Sequence, residues 1–320
     1  MASSDLKEVG ASLRERGYAM VDSAVNSETA SCLREEIEAL KAKRILYKNA
    51  THIVGRNGGV EYLEKANIFE WDSKHPRWKE CSGDTPTLQS IHRDPTLLTS
   101  LTQAIRIPDL TLSSQTLKVQ FNAGKGGCFP IHYDTDAGVD GRVITAILYL
   151  NSDWNPGDGG ELALYPFPLP TIKVEPISGR LALFSSALMP HRVLPSNVSR
   201  HCLTLWLSRP QEESQSEARA KAKETEREAV RRVLAQGNTP SWEAMMEPEV
   251  RKLIAKGMLK QEWRASIEQA HVGGDPRQIA LTAHDKNVEV IEKIFKNSLE
   301  ALRGDVNGWQ LSQRGLRWLQ

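Results

Sequence analysis

Three residues of this chain have the types and spacing of a metal site. His132 and Asp134 lie two apart in Pro130-Ile-His-Tyr-Asp134, and His191 follows 59 positions after His132, in Met189-Pro-His-Arg-Val193. Two imidazoles and one carboxylate can hold one face of a mononuclear, non-haem Fe(II) ion. The opposite face then stays open to substrate, cosubstrate and O2. Side chains two apart on a strand point the same way, so His132 and Asp134 can share an ion while Tyr133 faces elsewhere. Taken alone, the same residues also describe a buried, hydrogen-bonded histidine beside a solvated aspartate. The surrounding elements have to decide between the two.

Residues 200–208 alternate as a strand should. Leu203, Leu205 and Leu207 share one face, and Arg200, Cys202, Thr204 and Trp206 share the other. With the leucines packed against helices, Arg200 points inward, where a lone charge costs several kcal/mol unless an anion meets it. No Asp or Glu shares its face, so a bound carboxylate gripped by the guanidinium fork is the expected partner. On 143–150, Val143, Thr145, Ile147 and Tyr149 share a side, and Tyr149 can offer its hydroxyl to the same anion. Beside an open iron face, an inward Arg and Tyr describe a 2-oxoglutarate site. The competing reading is a structural Arg200 stacked on Trp206 or paired across the sheet.

These residues sit in a region with its own pattern. From about 115 to 209, short runs (117–122, 129–134, 143–151, 161–165, 171–175, 180–185, 191–194 and 200–208) are separated by glycine-rich turns. Such spacing predicts an all-β sandwich or jelly roll, not a βαβ sheet. Upstream, 5–16 reads as a helix stopped by Gly17 and 18–22 as a strand. Asn26 or Ser27 caps a helix with the stripe Ala30, Leu33, Ile37 and Leu40. The glycines at 55, 58 and 59 make 46–62 read as a mobile loop, followed by a strand over 66–72 and helix over 85–105, interrupted near Pro95. After Pro210 the chain turns polar. A solvated helix or linker is expected over 211–236, helices around 241–272, and a helix face of Val288, Ile291, Phe295, Leu299 and Leu302.

The fold class read from this is α+β. A double-stranded β-helix (jelly-roll) core has supporting N-terminal helices within a catalytic domain over 1–209, and 210–320 forms a helical C-terminal extension. That extension, with Trp309, Leu316 and Trp318 near its end, is expected to pack on the core, to dimerise or to hold a partner.

Composition narrows the class further. The 320 residues are 40% hydrophobic and 25% charged, as in a globular protein with a full core, and the net charge is +1. Near-neutrality argues against nucleic acid as a partner. No segment reads as a secretory signal or membrane span, and Cys32, Cys81, Cys128 and Cys202 form no Cys-x-x-Cys pair. A cytoplasmic or nuclear protein with reduced thiols is expected.

The chain resembles the Fe(II)/2-oxoglutarate dioxygenases, and among them the prolyl 4-hydroxylase family, in its soluble branch of oxygen-sensing hydroxylases and their protist and bacterial relatives. The likeness runs through Asp140-Gly-Arg-Val-Ile-Thr-Ala-Ile-Leu-Tyr-Leu-Asn151, Asp153-Trp154, Gly159-Gly-Glu-Leu162, Glu175-Pro176 and Gly179-Arg-Leu-Ala-Leu-Phe184. It continues to His191, to Arg200 nine positions on, and to Thr204-Leu-Trp206. With Gly17–Asp22 and the helix after it, about two thirds of the chain is covered.

The resemblance implies iron ligation by His132, Asp134 and His191. It places Arg200 and Tyr149 on the distal carboxylate of 2-oxoglutarate, Thr145 and Ile147 along the same wall, and Arg142 and Trp206 near the pocket mouth, toward substrate. It implies Fe(II), 2-oxoglutarate and O2, with ascorbate as reductant, and a proline-containing protein or peptide as substrate. Two departures stand out. Phe121 occupies the place where the family leads one to expect a tyrosine touching the cosubstrate, and the loop from His132 to Arg142 is one residue longer. The alternatives are the same chemistry on a small molecule, a methylated base or another side chain, and a non-catalytic jelly-roll interaction protein. His52, His75, His92, His201, His271 and His284 have no companions at ligand spacing and read as structural or surface residues.

Overall fold

The computed structural model describes residues 3–54, 60–135, 140–210, 214–237, 240–304 and 316–319. Its strands are β1 (Tyr18–Val21), β2 (Tyr47–Val54), β3 (Val60–Asp72), β4 (Ser114–Asn122), β5 (Arg142–Tyr149), β6 (Leu162–Leu164), β7 (Ile172–Val174), β8 (Leu181–Ser185), β9 (His191–Val193) and β10 (Arg200–Ser208). They form a large sheet in the order β1-β8-β5-β10-β4-β3-β2 and a small one in the order β7-β6-β9. All these pairings are antiparallel. This is the α+β, double-stranded β-helix architecture expected from the turn spacing.

Four helices cover the outer face of the large sheet: α1 (Ser3–Arg16), α2 (Ser27–Ala42), α3 (Pro86–Arg93) and α4 (Thr96–Ile105). Asn26 caps α2 by accepting from the Thr29 N–H at 2.8 Å. The predicted stripe Ala30, Leu33, Ile37 and Leu40 is buried with Leu203, Leu205 and Leu207 of β10. Each such leucine contributes about 1.5–3 kcal/mol of burial. The leucine face of β10 is thereby anchored outward, which turns Arg200, Thr204 and Trp206 toward the inside. Val143 departs from the expected face of β5, because it packs with the outer cluster while Ile147 and Tyr149 join the inner one. The pairing of β5 with β10 slips between Leu207 and Ser208, next to Val143.

Two stretches differ from the sequence reading. The region 46–62, expected as a mobile loop, instead holds strand over 47–54 and from 60 onward, with 55–59 outside the described residues, while the strand expected over 66–72 is present as the second half of β3. The buried positions in this hairpin include Asn49, Lys65 and Glu70. Lys65 Nζ donates to Asn49 Oδ1, and Asn49 Nδ2 donates to Glu70. Because Asn49 and Lys65 face inside, no hydrophobic alternation announces β2 or the start of β3. Residues 129–134 instead lack a regular ladder. Phe129 N donates to Val193 O at 3.1 Å, and His132 exchanges two 3.0 Å bonds with His191, but Pro130 between them has no N–H to give.

The C-terminal helices are α5 (Gln215–Leu234), α6 (Trp242–Met245), α7 (Pro248–Met258), α8 (Lys260–Ala270), α9 (Asp275–Ile294) and α10 (Lys296–Gly304). Ser214 and Glu217 form a capping box at the start of α5. Val288, Ile291, Phe295, Leu299 and Leu302 are all buried, but the backbone breaks at Phe295, so the stripe spans α9 and α10. Side chains of α5, α6, α7, α9 and α10 share one buried cluster with Ile147, Tyr149, Phe184 and Cys202. Leu316 and Trp318 belong to that cluster, while Trp309 lies outside the described residues. Trp318 closes on the end of α1. A Cβ on Gly17 would meet its ring at 2.4 Å, and the backbone there has φ +79°.

Among the described residues, no helix is long and apolar enough to cross a membrane.

Candidate metal centre and anion pocket

The His132 segment and β9 lie side by side, and Asp134 completes a cluster in which one ligand atom from each residue falls within 4.8 Å of the others. Among the described residues it is the only grouping of three or more His, Cys, Asp or Glu with that property. Asp134 Oδ1 is 3.6 Å from His132 Nε2 and 3.8 Å from His191 Nε2. These gaps are too long for hydrogen bonds. They are within reach of one shared cation held by bonds of roughly 2.1 Å.

The protons fit that use. His132 Nδ1 faces Pro130 O at 2.9 Å and His191 Nδ1 faces Met189 O at 3.1 Å. A carbonyl can only accept, so each Nδ1 carries a hydrogen, and Nε2 is the lone-pair nitrogen of the neutral ring. Burial pushes the His191 imidazole down to about 4, helped by neighbouring His132 and opposed by Asp134 and the Met189 carbonyl, so it is neutral at neutral pH. Burial opposes ionisation of Asp134, but His191, His132 and the Thr145 hydroxyl outweigh it and hold the carboxyl well below its usual range. Thr145 Oγ1 donates to Asp134 Oδ2 at 2.5 Å and meets Ser186 Oγ at 2.9 Å. Thr145, expected along the cosubstrate wall, thus also fixes the carboxylate. Its partnership with Ser186 had no local signal in sequence.

Deeper in the barrel, Arg200 is 2% exposed and lies with its guanidinium carbon 5.0 Å from the Tyr149 ring centroid. Among the described residues, its Nη1 reaches only Cys202 Sγ at 3.4 Å, while Nε, Nη2 and the buried Tyr149 hydroxyl have no hydrogen-bond partner. Burial pushes the Tyr149 hydroxyl's pKa up, so it stays a donor. A buried guanidinium with open donors beside a buried hydroxyl fits a carboxylate, and the residues therefore suit 2-oxoglutarate. Arg200 is not stacked on Trp206, as the competing reading required. Gly160 makes room for it: a Cβ there would lie 2.8 Å from Ser196 Oγ and 3.2 Å from Arg200 Cδ, and the backbone has φ +80°. Ile147 sits on the same side of β5 as Tyr149 and joins the same buried cluster.

Phe121 is not in this pocket. It packs outward against His201 (5.1 Å between rings), Phe69 and the Lys41 ammonium. Gln120 faces inward instead, with its Oε1 3.4 Å from both Thr204 Oγ1 and Cys202 Sγ. Strand alternation from Leu117 and Val119, both outward, would have placed Phe121 outside.

The mouth is a cavity of about 340 Å3 lined by His132, Asp134, Arg142, Trp206, Lys118 and Gln120, and by the β2–β3 hairpin through Asn49, Thr51, Lys65 and Glu70. Arg142 and Trp206, predicted near the mouth, meet there, with the guanidinium carbon 4.2 Å from the Trp206 ring. Arg142 also pairs with Asp140 at 3.2 Å and donates to the Asp134 backbone carbonyl at 3.0 Å. The other histidines with described side chains bear on packing. His201 is 1% exposed and bonds Glu38, His271 and His284 bond backbone carbonyls, His75 caps a turn, and His92 packs on Trp78. The His52 side chain and Gly138, in the longer loop, lie outside the described residues.

The family described as the 2OG-Fe(II) oxygenase superfamily matches residues 117–208, which hold all these pocket residues except those of the hairpin. A hypoxia-inducible factor prolyl hydroxylase of Caenorhabditis elegans is 28% identical over 211 residues, covering 64% of this chain and 28% of the relative. Egl nine homolog 1 of Homo sapiens is 26% identical over 213 residues, covering 64% and 46%. The chain thus spans less than half the length of these curated relatives. A solved prolyl 4-hydroxylase from Phytophthora capsici is 28% identical with a TM-score of 0.67, over 97% of this chain and 95% of that one. That likeness includes the helices after residue 210.

Proposed function

We propose that this chain, which matches the 2OG-Fe(II) oxygenase superfamily over residues 117–208, hydroxylates a prolyl residue of a protein or peptide, consuming O2 and 2-oxoglutarate at an Fe(II) centre. The observation that carries the reading is the pairing of two features in one barrel. A His132/Asp134/His191 cluster presents free imidazole and carboxylate atoms, and Arg200 and Tyr149 present buried donors without partners. The prolyl substrate is drawn from the relatives named as prolyl hydroxylases.

When bound, iron and 2-oxoglutarate supply the oxidation itself, giving succinate, CO2 and one oxygen atom on the substrate. The chain's own residues supply geometry. His132 and His191 offer Nε2, and Asp134 offers Oδ1 while Thr145 holds Oδ2. Arg200 and Tyr149 grip the distal carboxylate at the closed end, which directs the 2-oxo acid end toward the ligand cluster. Trp206 and Arg142 line the mouth, on the path by which a peptide would enter. No acid–base pair or nucleophile is needed. The four free cysteines agree with a reducing compartment such as the cytosol or nucleus.

The test is succinate release coupled to the gain of one oxygen on a proline, followed by mass spectrometry on host proteins or proline-containing peptides. Full turnover by Asp134→Ala or His191→Ala would overturn the assignment.

A further inference from the structure

Helix α8 is where the C-terminal helices touch the candidate metal centre. Ser266 is fully buried, and its Oγ accepts the Ile131 N–H at 2.9 Å while donating to Trp263 O at 2.6 Å. Ile131 immediately precedes His132. On a strand, successive N–H groups point to opposite sides. His132 N–H goes to His191, so Ile131 N–H turns away from β9, and Ser266 receives it where a further strand would otherwise pair.

One turn along α8, Gln269 Oε1 accepts from Arg192 Nη2 at 2.7 Å. Arg192 immediately follows His191 and is 4% exposed. Ser266 and Gln269 are three apart and so share one helix face. Beyond the helix end, His271 bridges to Lys65, and Val272 N donates to Glu64 O at 3.3 Å, on the strand that walls the cavity mouth. Apolar packing of Ile131, Ala163 and Tyr165 against Trp263 and Ile267 backs these bonds.

We propose that α8 is a positioning element for the metal centre. Ser266 and Gln269 hold the segments bearing His132 and His191 at ligand separation, so residues beyond 210 help build the site without providing a ligand. Such bracing matters here because Pro130 leaves the His132 segment with a broken ladder to β9. The inference rests on the metal reading given above.

The test measures Mn(II) affinity by electron paramagnetic resonance on the full chain, with melting temperature recorded in parallel. Ser266→Ala and Gln269→Ala should each weaken Mn(II) binding by about tenfold, the lower end of the range for residues that support metal ligands. Arg264→Ala, on the exposed side of α8 where Arg264 pairs with Glu268 and Asp285, should leave Mn(II) affinity unchanged. Unchanged affinity in both Ser266→Ala and Gln269→Ala would overturn the inference alone. Equal weakening in Arg264→Ala would overturn it too, by showing general destabilisation. A wild-type chain that binds no Mn(II) would overturn the metal reading, and this inference with it.

Discussion

The two ends of the pocket handle buried charge in opposite ways. At the mouth, Lys118 meets Glu70 at 2.9 Å, Arg142 meets Asp140, and Lys65 donates to Asn49 and Thr51. At the closed end, Arg200 is as deeply buried as any of them, yet among the described residues Nε and Nη2 have no partner and neither does Tyr149 Oη. Buried polar groups in folded proteins are normally satisfied, since each unpaired one costs about 1–3 kcal/mol. The mouth's charges satisfy one another, whereas the closed end's are left open, as the proposed anion site requires.

Substitutions can break this contrast. Arg200→Leu should have the largest effect, lowering kcat/KM for 2-oxoglutarate by about two to three orders of magnitude, because one partner of a buried charge pair is worth roughly 2–5 kcal/mol in binding. Removing an unpaired buried charge should not lower the melting temperature of the unliganded chain. A normal upward shift of that temperature on adding 2-oxoglutarate to the variant would contradict the assignment.

Lys65 comes next, through pH. Burial pushes its ammonium down to about 8, with Glu70 opposing and Lys118 adding to the shift. Between pH 8 and the ordinary lysine value, the unfolded chain holds this proton and the folded chain does not. Stability from this residue therefore rises with pH across that window, by on the order of 3 kcal/mol. Urea unfolding of the wild type and Lys65→Met at both ends of the window checks the sign. A wild type that does not gain stability relative to the variant as pH rises would refute it.

Glu70→Gln should cost about 1–3 kcal/mol of folding stability, because it leaves Lys118 and the Lys65–Asn49 network without their carboxylate. The KM for 2-oxoglutarate should stay within twofold or so, since Glu70 lies at the opposite end from Arg200. Tyr149→Phe is the smallest change. It should raise that KM by roughly tenfold, the worth of one neutral hydrogen bond in a dry site, with no loss of melting temperature. If Glu70→Gln moves the KM more than Tyr149→Phe does, the division between the two ends fails.

Local pattern made much of this readable. The leucine alternation of 203–207 places Arg200 inside without any knowledge of the partner strands. The proposed ligand set follows from residue type and the two-residue period. Reading failed where that period was hidden or ignored. In the β2–β3 hairpin Asn49 and Lys65 are buried, so polar side chains concealed β2 and the first half of β3, while 66–72 was legible as a strand. At Phe121 the period was available from Leu117 and Val119, and a family expectation overrode it. The break at Phe295 was invisible because the apolar stripe runs on across it.

By itself, then, the sequence determined the chemistry on offer: two imidazoles, a carboxylate, and an inward arginine with no acid on its face. Those are properties of residue type and of a two-residue repeat, and both are local. Only the tertiary structure decided how the groups are held: Thr145 on the Asp134 carboxylate, Gln120 in place of Phe121, and Ser266 on the peptide before His132. That last pair is 135 residues apart in the chain. Which backbone N–H lacks a strand partner, and which helix supplies the oxygen, depends on topology and packing across the whole barrel, and no short-range pattern encodes it.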